Sequence, residues 1–534
     1  MSERMAEELS KRRVHRLYAF GIAWTAGAMV FSNFLMSLGA FALLSAWVFD
    51  RITLGPLFKG RDRSFVQGST VLLAVAALMA WQILGLGWTS DLDNGLNALR
   101  IKLPLLAFPL ILLTGRFDRE AVWRWLPRWW ALAVTAACAA ALWLGATSEE
   151  PLAARNWSPF ISHIRFSLMI TWAWGLLTYS LLRQAPAVGN GTLATILWGL
   201  LTLAGGGIVY QTGTLTGALL APVVMAALVW WGALDGWHVP RFAARRLVAS
   251  AMVLAVVGGC WAVWQLRPIL PETTALKTYT AGGEPYVHYP DRCLRENGHH
   301  VWTHLAWGEL QRGWNRRSNI PFHEQDARNQ QVRMTLVRYM TSMGLTKDSV
   351  GLATLTDEDI ARVEAGTPTI LELEHRGLRR RWDILKFEVD AALSGVAPSG
   401  QSIMQRLAFW QAGWYIFQHS PAWGVGTGDL NSAFDKAYKA LDSQLAEPFR
   451  LRAHNQFLSF ALAGGPVGVI LFVGVFIAMI AMSRRQENEW MATATLLFVL
   501  IFFLSCWTED TLETQAGVTW VGFFTGLLGR RLHD

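Results

Sequence analysis

The chain has 534 residues, 52% of them hydrophobic and only 16% charged, with 28 Trp and 27 Phe. Soluble domains carry about 25% charged residues, so the deficit excludes one large water-soluble enzyme and points to a polytopic membrane protein. The net charge of +8 gathers in short loops between apolar runs, and no basic stripe interleaves with aromatics, which argues against nucleic-acid binding.

The N-terminus carries Arg4, Lys11, Arg12 and Arg13 before an apolar run. No small-residue cleavage site follows cleanly, so the run reads as an uncleaved first span. At about 20 apolar residues per crossing, fewer where loops re-enter, the chain offers about twelve spans. They fall near 15–31, 33–49, 69–88, 101–115, 122–146, 164–182, 191–209, 217–233, 247–265, 466–482, 490–507 and 515–529.

Loop charge supports that count. With the N-terminus inside, the inner loops hold Arg51, Lys59, Arg61 and Arg63, then Arg116, Arg119 and Arg124. Arg183 comes next, then Arg241, Arg245 and Arg246, then Arg484 and Arg485, and finally Arg530 and Arg531. The outer loops Thr89–Leu99, Ala146–His163, Tyr210–Thr216 and Thr508–Gln515 hold little basic charge and several acids. This alternation is the one the positive-inside rule requires.

Between the ninth and tenth spans lies a long polar stretch, 267–465. Parity places it outside, where long domains pass whatever their charge. Helical patterns occur at Asp326–Met343 and Thr356–Glu364, and an amphipathic helix is expected near 402–419. Cys138, Cys260 and Cys506 sit in apolar runs and only Cys293 is in a polar region, which excludes a disulfide framework there and a Cys-based zinc site.

The stretch Arg452-Ala453-His454-Asn455-Gln456 stands where the polar region meets the tenth span. Titratable groups at a membrane lip read as functional by default. A lone His is most often a structural hydrogen-bonding residue, but beside Asn455 and Arg452 at an outer lip His454 suits a general base that takes a proton from an alcohol. Arg406 and Trp410, four apart, share a helix face. Arg165 opens the sixth span. Snorkelling to headgroups is the ordinary reading of such Arg residues. Convergence on a pyrophosphate is the functional one, because guanidinium forks bind phosphate oxygens bidentately. Glu509, Asp510 and Glu513 are solvated loop charges, or one of them orients His454 or binds an acceptor sugar.

Two other patterns invite the ordinary reading. Gly424, Gly426 and Gly428 follow a helix rather than a strand, so a tight turn from Pro421 is expected rather than a nucleotide loop. His299, His300 and His304 suggest metal, with His300 and His304 one helical turn apart, but no third ligand stands out. Metal-independent chemistry without a cofactor is expected.

These residues resemble the O-antigen ligase/polymerase superfamily of bacterial envelope glycosyltransferases. The resemblance rests on Arg406 and Trp410 running into Pro421, Gly424 and Gly426; on His454-Asn455 with Leu458, then Gly464, Gly465 and Gly468; and on about twelve spans with one late outer loop. The stretch His288–Thr341 and the Thr508–Gln515 loop look like the Bacteroidetes-type branch. The resemblance implies an all-α polytopic membrane protein of GT-C-like architecture: residues 1–266 as spans one to nine, 267–465 as a large helical periplasmic domain with the catalytic loop, and 466–534 as the last three spans. It implies a bacterial inner-membrane protein with both termini cytoplasmic. The donor would be an undecaprenyl-pyrophosphate-linked glycan and the acceptor lipid A–core or another glycan, with membrane lipid around it and no nucleic acid. His454 would activate the acceptor hydroxyl. Arg406, Arg165 and Arg452 would contact the pyrophosphate, with Asn455, Trp410 and Glu509 lining the substrate site. Ligases of this family commonly carry Ser-Arg-Gly before the eighth span, whereas this chain has Leu215-Thr216-Gly217. A polymerase of the same superfamily is the alternative. A twelve-span transporter is the remoter one, disfavoured by the unequal nine-to-three split of the spans.

Overall fold

A computed structural model describes residues 3–54, 63–148, 154–183, 191–234, 264, 276–289, 292, 294–375, 377–393 and 402–531. The chain is an all-α membrane protein, with one small hairpin among the described residues. It divides into two compact units: Met1–Met252 with Phe409–Ser443 and Arg450–Asp534, and Val253–Ala408 with Gln444–Phe449. The segments around Trp410 and His454 therefore pack with the apolar helices of the first unit.

The first unit opens with α1 (Glu3–Ala28), α2 (Asn33–Leu54), α3 (Arg63–Leu84) and α4 (Leu92–Thr114). There follow α5 (Arg119–Ala146), α6 (His163–Leu182), α7 (Gly191–Thr212) and α8 (Leu215–Leu234). Helices thus occupy the first eight expected spans. The ninth, 247–265, lies outside the described residues but for Trp264, as do Lys59, Arg61, Arg241, Arg245, Arg246, Cys260 and Cys293. Seven described helices are long and apolar enough to cross a membrane: Asn33–Leu54, Thr70–Trp88, Leu92–Thr114, Arg119–Ala146, Thr192–Thr212, Gln456–Ser483 and Glu489–Thr508. Thr216–Trp231 is a shorter apolar helix.

The second unit contains the hairpin of β1 (Arg295–Glu296) and β2 (His299–His300), with Arg295 opposite His300. It also contains α9 (Trp307–Arg317), α10 (Val332–Ser342), α11 (Ser349–Ala353), α12 (Asp357–Glu364), α13 (Leu371–Glu374) and α14 (Gly377–Leu393). Its core is built on Leu305, Leu310, Trp314, Leu336 and Met340. α12 follows the sequence pattern, with Thr356 and Asp359 closing a capping box. α10 starts six residues later than the pattern suggests. The Asp326 carboxylate accepts the N–H groups of Arg328 and Gln330, both at 2.9 Å, which holds that segment as a turn. His300 and His304 do not share a helix: His300 lies in β2, and His304 adopts φ 54° with its ring against His288 and Tyr286.

Helix α15 (Ser402–His419) occupies the stretch expected, but it is not amphipathic, since Leu407, Trp410 and Trp414 are exposed on it; α16 (Leu430–Ala440) follows. The last helices are α17 (Gln456–Ser483), α18 (Glu489–Thr508) and α19 (Gln515–Leu528). In the first unit α19 packs on α4, α17 on α3 and α18, and α6 on α5, α7, α8 and α18. α19 is apolar all round and buried along Ala516–Leu528, as a helix enclosed by others must be. Its 14 residues rise only about 21 Å. Gly522 and Gly526 let it lie against α4: a Cβ at Gly522 would come within 2.5 Å of the Pro104 carbonyl.

α17 is two helices joined at a break. Gly464 and Gly465 leave helical geometry, Gly465 at φ 63°, and Pro466 starts the longer arm. The carbonyls exposed there are answered from elsewhere. Trp81 donates Nε1–H to Gly464 O at 2.9 Å, Val425 donates N–H to Leu462 O at 2.8 Å, and Gly426 to Ala463 O at 3.1 Å. The Gly424–Gly428 stretch is thus a turn docked on the break.

Candidate functional site

The backbone before α17 is held from outside. Tyr438 donates its hydroxyl to Leu451 O at 2.5 Å, and Trp410 donates Nε1–H to Ala453 O at 3.1 Å. His454 then takes φ 47°, a left-handed conformation that His tolerates better than most side chains. That conformation sends its N–H to Asp510 Oδ2 at 3.1 Å. Asn455 caps α17 by accepting from Leu458 N–H at 3.0 Å and donates Nδ2–H to Trp507 O at 3.1 Å.

The loop between α18 and α19 is clamped by the same turn of α17. Gln456 Oε1 accepts the Leu512 N–H at 2.7 Å, and Ser459 donates its hydroxyl to Asp510 Oδ1 at 2.7 Å. Glu509 and Asp510 are both buried. Glu509 Oε2 lies 3.7 Å from His454 Nδ1 and 3.4 Å from Arg165 Nη1. Arg165 also donates Nη2–H to the Asp510 carbonyl at 3.0 Å. The imidazole lies 5.6 Å, centre to centre, from the ring of Phe409, and its side chain is 34% exposed. One edge of the imidazole therefore faces a fixed carboxylate while the side chain keeps access to solvent.

Glu513 is the second anchor. Its carboxylate takes Lys102 Nζ at 2.7 Å and Arg452 Nη1 at 3.3 Å, with Gln456 Nε2 at 3.4 Å. Burial alone would raise the Glu513 carboxyl; Lys102 and Arg452 more than reverse this and hold it below the usual carboxylate range. Asp510 goes the other way. Burial raises it and Glu513 adds to the rise, against the pull of Ser459, His454 and Arg452. Arg165, Lys102 and Arg452 against Glu509 and Glu513 leave one positive charge over when Asp510 is protonated, and none when it is ionised.

The fold brings six of the expected residues together: His454, Asn455, Arg452, Arg165, Glu509 and Trp410. Arg406 lies one turn before Trp410 on α15, half-buried, in a segment that belongs to the second compact unit. Asn455 and Trp410 have backbone partners that shape the His454 segment. Sequence reasoning missed Lys102, Gln456 and Ser459. Lys102 did carry a signal, since a Lys inside an apolar helix calls for a partner. Among the described residues, no group of three or more His, Cys, Asp or Glu is placed to hold a metal ion.

No curated protein matches the chain. Residues 377–473 match the family model described as O-antigen ligase. The matched stretch contains Arg406, Trp410, the glycine turn, Arg452, His454, Asn455 and the break in α17. That match places residues 377–473, and His454 with them, in the O-antigen ligase superfamily.

Proposed function

We propose that the protein transfers a glycan from undecaprenyl pyrophosphate to a sugar hydroxyl, as an O-antigen ligase acting on lipid A–core at the periplasmic face of the bacterial inner membrane. The reading keeps about twelve spans, cytoplasmic termini and the 267–465 stretch outside. The observation that carries it is Glu509 Oε2 standing 3.7 Å from the imidazole of His454 and 3.4 Å from the guanidinium of Arg165.

In this mechanism Glu509 steadies Nδ1 of His454, and Nε2 takes the proton of the acceptor hydroxyl. The acceptor oxygen attacks the anomeric carbon. The bond from that carbon to the pyrophosphate oxygen breaks, and undecaprenyl pyrophosphate leaves with the electron pair. Arg452 faces the diphosphate, and Arg165 adds positive field while fixing Glu509. The donor is already activated, so no nucleotide is consumed.

The test is glycan transfer in proteoliposomes loaded with lipid-linked donor. Wild type transfers; H454N loses transfer while keeping the wild-type melting temperature, and E509Q loses transfer together with some stability, because it leaves the buried Arg165 without its counter-charge. Undiminished transfer by H454N ends the proposal. The Thr216 position favours a polymerase as the second reading. The lipopolysaccharide gel of a deletion strain separates the two: lipid-linked polymer accumulates if a ligase is lost, and a core with one repeat unit appears if a polymerase is lost.

A further inference from the structure

We propose a second anion site, for a phosphate-bearing ligand, at the far end of α4 and α19 from His454. A cavity of about 760 Å³ opens there between α1, the α4–α5 connection and the segment after α19. Its size is that of a small-molecule pocket. Arg12 and Arg16 enter from α1, Arg116 from the α4–α5 connection, Arg119 from the start of α5, and Arg530 and Arg531 from the last segment. The Glu513 anchor and this cavity lie at opposite ends of α19, about 20 Å apart by helix rise.

Loop cations that only set orientation need no burial. Arg119 is different. It is 7% exposed, stacks over Phe117 at 4.6 Å and donates Nη2–H to Leu112 O, yet Nη1 is buried without a hydrogen-bond partner. A buried guanidinium N–H left open is costly unless a ligand answers it. The carboxylates nearby are engaged. Asp50 holds Arg116 at 2.7 Å, Glu120 pairs with Arg124 at 2.5 Å, Asp118 caps α5 through Ala121 N–H, and Glu487 lies 3.6 Å from Arg531. Arg12 and Arg16 make no ion pair among the described residues and remain exposed. A phosphate would answer Arg119 from below and Arg12 and Arg16 from above, with the bidentate geometry guanidinium prefers. A lipid headgroup and a free phosphate share this chemistry; cationic pockets at helix ends near the membrane surface suit the first.

The experiment uses the full chain in non-ionic detergent, follows its melting temperature, and compares it with the double variant R12Q/R16Q. Both positions are exposed, so the variant keeps the unliganded melting temperature. The probes are dioleoylphosphatidylglycerol, dioleoylphosphatidylcholine and inorganic pyrophosphate. The glycerol lipid stabilises wild type, the choline lipid does not, and R12Q/R16Q binds about tenfold more weakly. A shift with the glycerol lipid alone identifies a headgroup; an equal shift with pyrophosphate that the double variant loses identifies free phosphate. No shift from either anion, an equal shift from the choline lipid, or an undiminished shift in the double variant overturns the proposal.

Discussion

Lys102 Nζ and Glu513 Oε1 meet at 2.7 Å, both side chains enclosed, and so tie the middle of α4 to the loop that carries Glu509 and Asp510. Removing one partner strands the other. E513Q leaves Lys102 buried without its counter-charge and is expected to destabilise by about 3–5 kcal/mol. The paired replacement K102M/E513L should recover most of that loss. Melting temperatures of the three variants check it, and a single E513Q variant as stable as wild type refutes it.

His454 combines a chemical and a conformational demand. Asn tolerates the left-handed region at least as well as His but cannot act as a base. H454N is therefore expected to fold normally and to lose transfer by roughly 100-fold or more. H454A loses the same activity and some stability, because Ala is strained at φ 47°. Transfer rates and melting temperatures of the two variants, measured together, separate the two demands.

Asp510 gives stability a pH dependence of definite sign. Its native carboxyl is raised, with burial as the main cause. The protonated form is the one the fold favours. Its contribution is complete below the ordinary carboxylate value of about 4 and is lost as pH rises through the raised native value. D510N mimics the protonated state: its Nδ2–H donates to Ser459 and its Oδ1 accepts from His454 N–H. It should equal wild type at acid pH and become the more stable of the two as pH rises above about 4. Thermal unfolding across pH 4–8 checks this, and a constant difference refutes it. The same loss of positive charge should raise the donor KM of wild type with pH, and not that of D510N.

The turn docked on α17 leaves no room for side chains. A Cβ at Gly424 would come within 2.5 Å of Leu462 O, and one at Gly465 within 2.1 Å of Ala422 O, both at positive φ. G424A and G465A are each expected to cost roughly 1–3 kcal/mol, and more where the backbone cannot shift. G474A, which meets open space, is the control. Equal melting temperatures for all three would contradict the docking.

Helices at the expected apolar spans were legible because a crossing segment needs a long apolar run and little else. α19 was found from the same signal although its short length and enclosure differ from a lipid-facing span. The start of α17 was not legible. Pro466 after two glycines reads as a helix start, whereas the chain is already helical from Gln456 and only breaks there. His454, Arg452 and Asn455 drew attention by standing together in sequence. Lys102 did not, because Ile101 and Leu103 make it look like one more snorkelling cation and its partner Glu513 comes far later in the chain. The helical spacing of His300 and His304 fails for a local reason: Asn297 and Gly298, both at positive φ, turn the chain into a hairpin there.

The break in α17 has a mechanical consequence. A continuous rod would couple any tilt of its lipid-embedded arm to the imidazole at its tip. Here the two opening turns form a separate lever, pinned through Trp81 and the docked glycine turn rather than through their own helix. Bilayer thinning or thickening can therefore lean the long arm without dragging the imidazole of His454 out of register with Glu509.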